Sequence, residues 1–109
     1  MTTPTTTTTI IVLFNLKPDA DPAAYERWAA ETDLPTVRNL ATTDGFDVYR
    51  TTGVLGSDAP APYQYVEMIR VSDMAGFASE VATETMQKVA GEFRSFADNP
   101  VFMLSEEVA

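Results

Sequence analysis

Neither cysteine nor histidine occurs among the 109 residues, and the two absences remove much of ordinary enzyme chemistry together. Without thiols there is no disulfide, no thiolate nucleophile and no zinc–thiolate site. Without imidazole, the side chain that most often moves protons near neutral pH is missing, and serine–histidine hydrolysis and histidine-based metal sites go with it. Cations are scarce as well: seven Lys and Arg face sixteen Asp and Glu, a formal net charge of −9. Affinity for nucleic acid comes mostly from neutralising phosphates, so nucleic acid is not an expected partner, and neither is an anionic membrane surface. No run approaches the roughly 20 apolar residues of a bilayer span. The apolar start at Ile10–Phe14 is short and has no basic segment before it, so it reads as a strand rather than a signal peptide. A cytoplasmic protein is expected. Metal-ligand spacing and a glycine-rich phosphate loop are both missing, and the adjacent Glu106 and Glu107 point to opposite faces of a strand. No metal and no cofactor is therefore expected.

What is present specifies a fold. The length suits a single domain with one core, and 45% apolar residues with 21% charged ones is an ordinary globular balance. Residues 1–9, MTTPTTTTT, form a low-complexity tract with nothing to bury and read as a flexible tail, leaving 10–109 as the domain. IIVLFNL, Ile10–Leu16, is an apolar run of the kind a central strand covered on both faces requires. Asp21-Pro22 opens a helix, Asp21 as N-cap and Pro22 at the first position, with Tyr25, Trp28, Ala29 and Thr32 on its inward stripe. Pro35 cannot continue a regular helix, so Asp33 is expected to cap a new short one, with Val37 and Leu40 inward and the chain turning at Asp33. Gly45–Leu55 and Tyr63–Val71 are two strands joined by the proline-rich GSDAPAP. Ser72 caps the next helix, whose inward stripe is Met74, Phe77, Ala78, Val81, Ala82, Thr85, Val89 and Phe93, with Gly91 as a break. Asn99-Pro100 precedes a last, acidic edge strand over Val101–Val108. The order β-α-β-β-α-β is that of a ferredoxin-like α+β fold, a four-stranded antiparallel sheet with both helices on one face.

Charge selects a register for the second and third strands. With Val48 facing Ile69, Phe46 meets Val71, Arg50 meets Glu67 and Asp47 meets Arg70, so two opposite-charge pairs form together. Arg50 and Glu67 then lie on the more apolar face, as a structural ion pair or as the lining of a pocket. The other face, with Asp47, Tyr49, Thr51, Val66, Met68 and Arg70, is half apolar and is expected to be covered by a second copy of the chain. The residues able to touch a ligand are Asn15, the polar side chain within an apolar strand; the helix aromatics Tyr25 and Trp28, which equally suit the core; Tyr49 and Tyr65 through their hydroxyls; Arg50 and Glu67; and Arg38, which otherwise pairs with Glu31 or Asp33.

VLFNLKPDADPAAYERWAAETDLPTVRNL, then GFDVYRT, then FADNPVFMLSEEV resembles the RedY-like HapK family, most specifically in TDLPTVR and in the DNP turn. The resemblance runs from about Val12 to Val108. It implies a ferredoxin-like subunit pairing into a dimeric α/β barrel, and an association with biosynthesis of prodigiosin-type pyrrole pigments. It brings no catalytic residues. Two functional readings follow. One is a homodimeric binding or accessory protein that holds an apolar, aromatic or pyrrolic metabolite between helices and sheet. The other is a cofactor-independent monooxygenase, isomerase or cyclase in which Arg50, Tyr49 or Asn15 polarises a carbonyl and Glu67 is the base. A dimer without any ligand is a third.

Overall fold

The computed structural model describes residues 7–109. The elements are β1 (Thr8–Leu16), α1 (Pro22–Trp28), a π-helical turn (Ala29–Asp33), α2 (Leu34–Arg38), β2 (Thr43–Arg50), β3 (Tyr65–Val71), α3 (Met74–Val81), α4 (Glu84–Phe96) and β4 (Ala97–Glu106). The four strands form one antiparallel sheet in the order β2-β3-β1-β4, and this is the expected ferredoxin-like arrangement. Of the expected flexible tail, residues 1–6 lie outside the described part, while Thr8 and Thr9 already belong to β1.

Alternation along β1 separates the two faces of the sheet. Ile10, Val12, Phe14 and Leu16 are buried beneath the helices, and Ile11, Leu13 and Asn15 are half-buried on the opposite side. Under the helices, Phe14 stacks on Tyr65 with ring centroids 5.5 Å apart and meets Tyr25 and Phe93 edge-on at 5.5 and 5.0 Å. Such offset and T-shaped contacts suit the ring quadrupoles. Trp28 completes the cluster against Phe96 at 5.6 Å.

Several local expectations are corrected. The helix does not stop at Asp33: its backbone stays right-handed helical and its side chain caps nothing. Instead the turn widens, and the Leu34 N–H reaches back five residues to the Ala29 carbonyl. Pro35 has no N–H to offer, and a wider turn gives its ring room beside the preceding carbonyls. The second helical region is two helices. α3 follows Asp73 rather than Ser72, and α4 restarts at Thr83, whose hydroxyl accepts from the Met86 N–H at 3.4 Å. That restart resets the inward phase to Met86, Val89 and Phe93, leaving Ala82 and Thr85 exposed, and α4 runs through Gly91 without a break. The second strand ends at Arg50, and Leu55 is fully exposed.

The β2–β3 register is shifted by two residues from the expected one: Phe46 faces Ile69, Val48 faces Glu67 and Arg50 faces Tyr65. Arg50 finds its carboxylate on α1 instead, at Glu26, 3.2 Å away. The Asp47–Arg70 pair survives diagonally at 3.8 Å, because Arg70 now faces Gly45, two residues before Asp47 on the same strand. Arg70 lies across Gly45, where a Cβ would collide with its guanidinium.

Candidate functional site

Tyr25, Ala29, Asp33 and Val37 are all buried, one every four residues. In a regular α-helix three such steps would drift by about 120°, since four residues exceed one turn by about 40°. The π turn absorbs that drift and keeps Asp33 on the inward line. From the sheet side, Glu67 of β3 points into the same layer. The two carboxylic acids, 5% and 4% exposed, line one cavity of about 480 Å³ between helices and sheet.

The walls of the cavity are apolar: Val37, Phe46, Ile69, Phe77, Met86, Val89, Phe93 and Phe102. Its exposed end carries Lys17, Arg94, Asp98 and Asn99. Polar groups therefore occur at two places, a buried acidic end and an exposed mixed-charge mouth. At the buried end the Tyr25 hydroxyl donates to Glu67 Oε1 at 3.2 Å. Asp33 accepts no side-chain hydrogen bond among the described residues, although it is almost wholly buried.

Electrostatics follows from this burial. Desolvation raises the Asp33 carboxyl above the ordinary carboxylate range. Glu67 is raised by burial and further by the charge of Asp33, with the Tyr25 hydrogen bond opposing both. Tyr25 is held above its ordinary value by burial and then by the Glu67 and Asp33 charges, so it remains a hydrogen-bond donor. A carboxyl that loses its hydration without gaining a cation keeps its proton more tightly. Among the described residues no group of carboxylates is arranged to hold a metal ion.

Of the ligand residues expected from sequence, the structure brings Glu67 into the cavity, and Tyr25 reaches it through Glu67. Trp28 packs in the aromatic core, and its indole N–H has no partner among the described residues. Tyr65 donates to Glu26 at 2.8 Å, and its hydroxyl is pushed up to about 12 by burial and that carboxylate. Arg50 belongs to the same surface group. Arg38 does not bridge to Glu31 or Asp33; it donates to the Phe46 carbonyl at 2.9 Å and pairs with Asp47 at 3.5 Å. Asn15 ties down the loop before β3, donating to the Pro62 carbonyl and accepting from the Gln64 N–H at 2.9 Å. Tyr49 stands on the open face, 52% exposed. The residue missed was Asp33. The signal for it was there in the spacing of four that carries 25, 29, 33 and 37, which a reading at strict helical period passed over.

Solved structures share this architecture. HapK from Hahella chejuensis is 29% identical with a TM-score of 0.73, each chain covered to 94%. A hydroxynitrile lyase from Passiflora edulis, 15% identical, superposes with a TM-score of 0.77 over 95% of each chain. A mutant form of SnoaB, a cofactor-independent oxygenase from Streptomyces nogalater, is 16% identical with a TM-score of 0.75 over 94% of each. The last two likenesses establish the fold alone. No match was found among curated protein sequences. The model of the family described as REDY-like protein HapK matches residues 8–108, and the chain belongs to this family.

Proposed function

We propose that the protein is a cytoplasmic homodimer that binds a small, flat, largely apolar metabolite, aromatic or pyrrolic, in the cavity between helices and sheet, as a binding or accessory protein of secondary-metabolite biosynthesis. The cavity carries the reading. Its volume of about 480 Å³ falls in the range of about 300–1,000 Å³ common for small-molecule sites, and apolar walls with a few converging polar groups are what such sites share. At the buried end a carboxylate accepts a hydrogen bond and a protonated carboxyl donates one, so a ring bearing N–H or a carbonyl finds a partner there.

The homodimer is supported by the sheet face that the helices leave bare. Across it run two rows, Asp47–Met68–Ile11–Met103 and Tyr49–Val66–Leu13–Val101, so six apolar side chains form one band. A second copy of the same face would cover that band by twofold symmetry.

The binding reading is tested with N-phenyl-1-naphthylamine, a neutral aromatic amine whose emission rises in apolar surroundings. Emission should rise on mixing with the protein, and Ala90→Trp, which fills the cavity from α4, should abolish the rise while the circular dichroism stays native. An equal rise with the filled variant places the dye elsewhere and sinks the reading.

A further inference from the structure

Binding alone leaves the arrangement of the two buried acids unexplained. We infer that Asp33 and Glu67 share one proton and act as an acid–base pair that tautomerises a bound, enolisable carbonyl compound. The inference rests on the cavity reading above and adds a reaction to it.

Two features of the geometry carry it. The acids come from opposite walls, Glu67 from the sheet and Asp33 from the π turn, and they meet one ligand-sized space. Asp33 is 5% exposed and lines the cavity with no described side chain bonded to its carboxyl, so a ligand in that space is a partner it can take. The cations that line the cavity, Lys17 and Arg94, are exposed at its mouth beside Asp98. No cation among the described residues forms an ion pair with either acid, so both cannot ionise cheaply, and one proton serves the pair. The raised affinity of both carboxyls for protons agrees with this. Tyr25 donates to Glu67, which favours the charge there, so Glu67 is the base and Asp33 the acid.

The step balances without a co-reactant. Glu67 removes a proton from the carbon next to the carbonyl, and the C–H electron pair becomes the C=C bond. The carbonyl π pair moves onto oxygen, and that oxygen takes the proton of Asp33. The charge passes from Glu67 to Asp33, and the reverse step restores both. An apolar, water-poor wall strengthens these transfers.

The test uses 2-tetralone, a flat aromatic ketone with acidic α-hydrogens, in D2O. Proton NMR follows loss of the α-C–H signal, and quenching of Trp28, which packs on Phe93 of the cavity wall, reports binding. Exchange should exceed that in buffer by about 10²–10⁴-fold, the usual range for general acid–base catalysis. Asp33→Asn and Glu67→Gln should each lose about 10²-fold, and the double variant little more than either, since groups acting as one unit are not additive. Tyr25→Phe should slow exchange near neutral pH and move the limb of the pH profile set by Glu67 to higher pH. Native circular dichroism of the variants separates lost chemistry from lost folding. A ketone that binds without faster exchange, full exchange by Glu67→Gln, or binding of the naphthylamine but not of the ketone each overturns the acid–base pair and leaves the cavity reading standing. Failure of both molecules to bind overturns both.

Discussion

Asp33 and Glu67 give the molecule a stability signature that is independent of any ligand. Both carboxyls are raised in the folded state, whereas in the unfolded chain they titrate near about 4. Between those limits the native state binds more protons, so stability is full below the unfolded values and falls as the pH rises through the folded ones. Urea midpoints should therefore drop between about pH 5 and about pH 9. Glu67→Gln should raise the stability at the alkaline end by about 1–3 kcal/mol, the cost of an uncompensated buried polar group, and flatten the slope. A midpoint that climbs with pH, or a slope untouched by the substitution, contradicts the raised values. Asn15 makes the opposite kind of prediction. Its side chain holds the loop before β3 through two hydrogen bonds and lies away from the cavity. Asn15→Ala should cost about 1 kcal/mol and speed proteolysis within residues 51–64, while naphthylamine affinity stays unchanged.

At the scale of elements, the π turn links the sequence to the site. A proline inside a regular helix costs about 3 kcal/mol relative to alanine, but the widened turn at Ala29–Asp33 already gives Pro35 its room. Pro35→Ala should therefore change stability by about 1 kcal/mol or less, and a gain near 3 in thermal or urea unfolding would show the turn to be strained by the ring. The sequence made the order of elements legible, because β1, the Asp21-Pro22 helix start and the apolar strands carry strong periods and caps. Where helices change pitch it did not. Proline and aspartate together look like a stop and a cap, and only tertiary packing of Tyr25, Ala29 and Val37 reveals a helix that goes on. The strand register was misread for a related reason. Opposite charges across a pair are worth about 0.2–1 kcal/mol, less than burying Phe46 and Val71, and Arg50 could satisfy its charge on α1 instead. Glu67 was legible as a charge on an apolar face; Asp33, hidden inside an apparent cap, was not.

At the scale of the whole molecule, the apolar run of β1 makes sense only if both faces of the sheet are covered. The helices cover one. On the other, Ile11, Leu13, Val66 and Met68 are half-buried, and Val101 and Met103 are 41% and 40% exposed. On the helix side of the same outer strand, β4, Phe102 and Leu104 are 59% and 68% exposed, with Phe93 of α4 meeting Phe102 at 6.2 Å. An edge strand so apolar is an aggregation hazard unless something pairs or covers it, and twofold packing of two sheets meets both needs at once. Static light scattering at micromolar concentration should give the mass of two chains. Leu13→Glu places a charge at the centre of the band without touching the helix side, and an unpaired buried charge costs about 3–5 kcal/mol, enough to weaken association by about 10³-fold. That variant should be a folded monomer at the same concentration. Salt provides the independent check, since each chain carries −9 and screening of like-charged protomers should tighten the wild-type dimer. A wild-type monomer, or a dimer indifferent to Leu13→Glu, would remove this face from the account and leave the apolar β1 run to be explained by another partner.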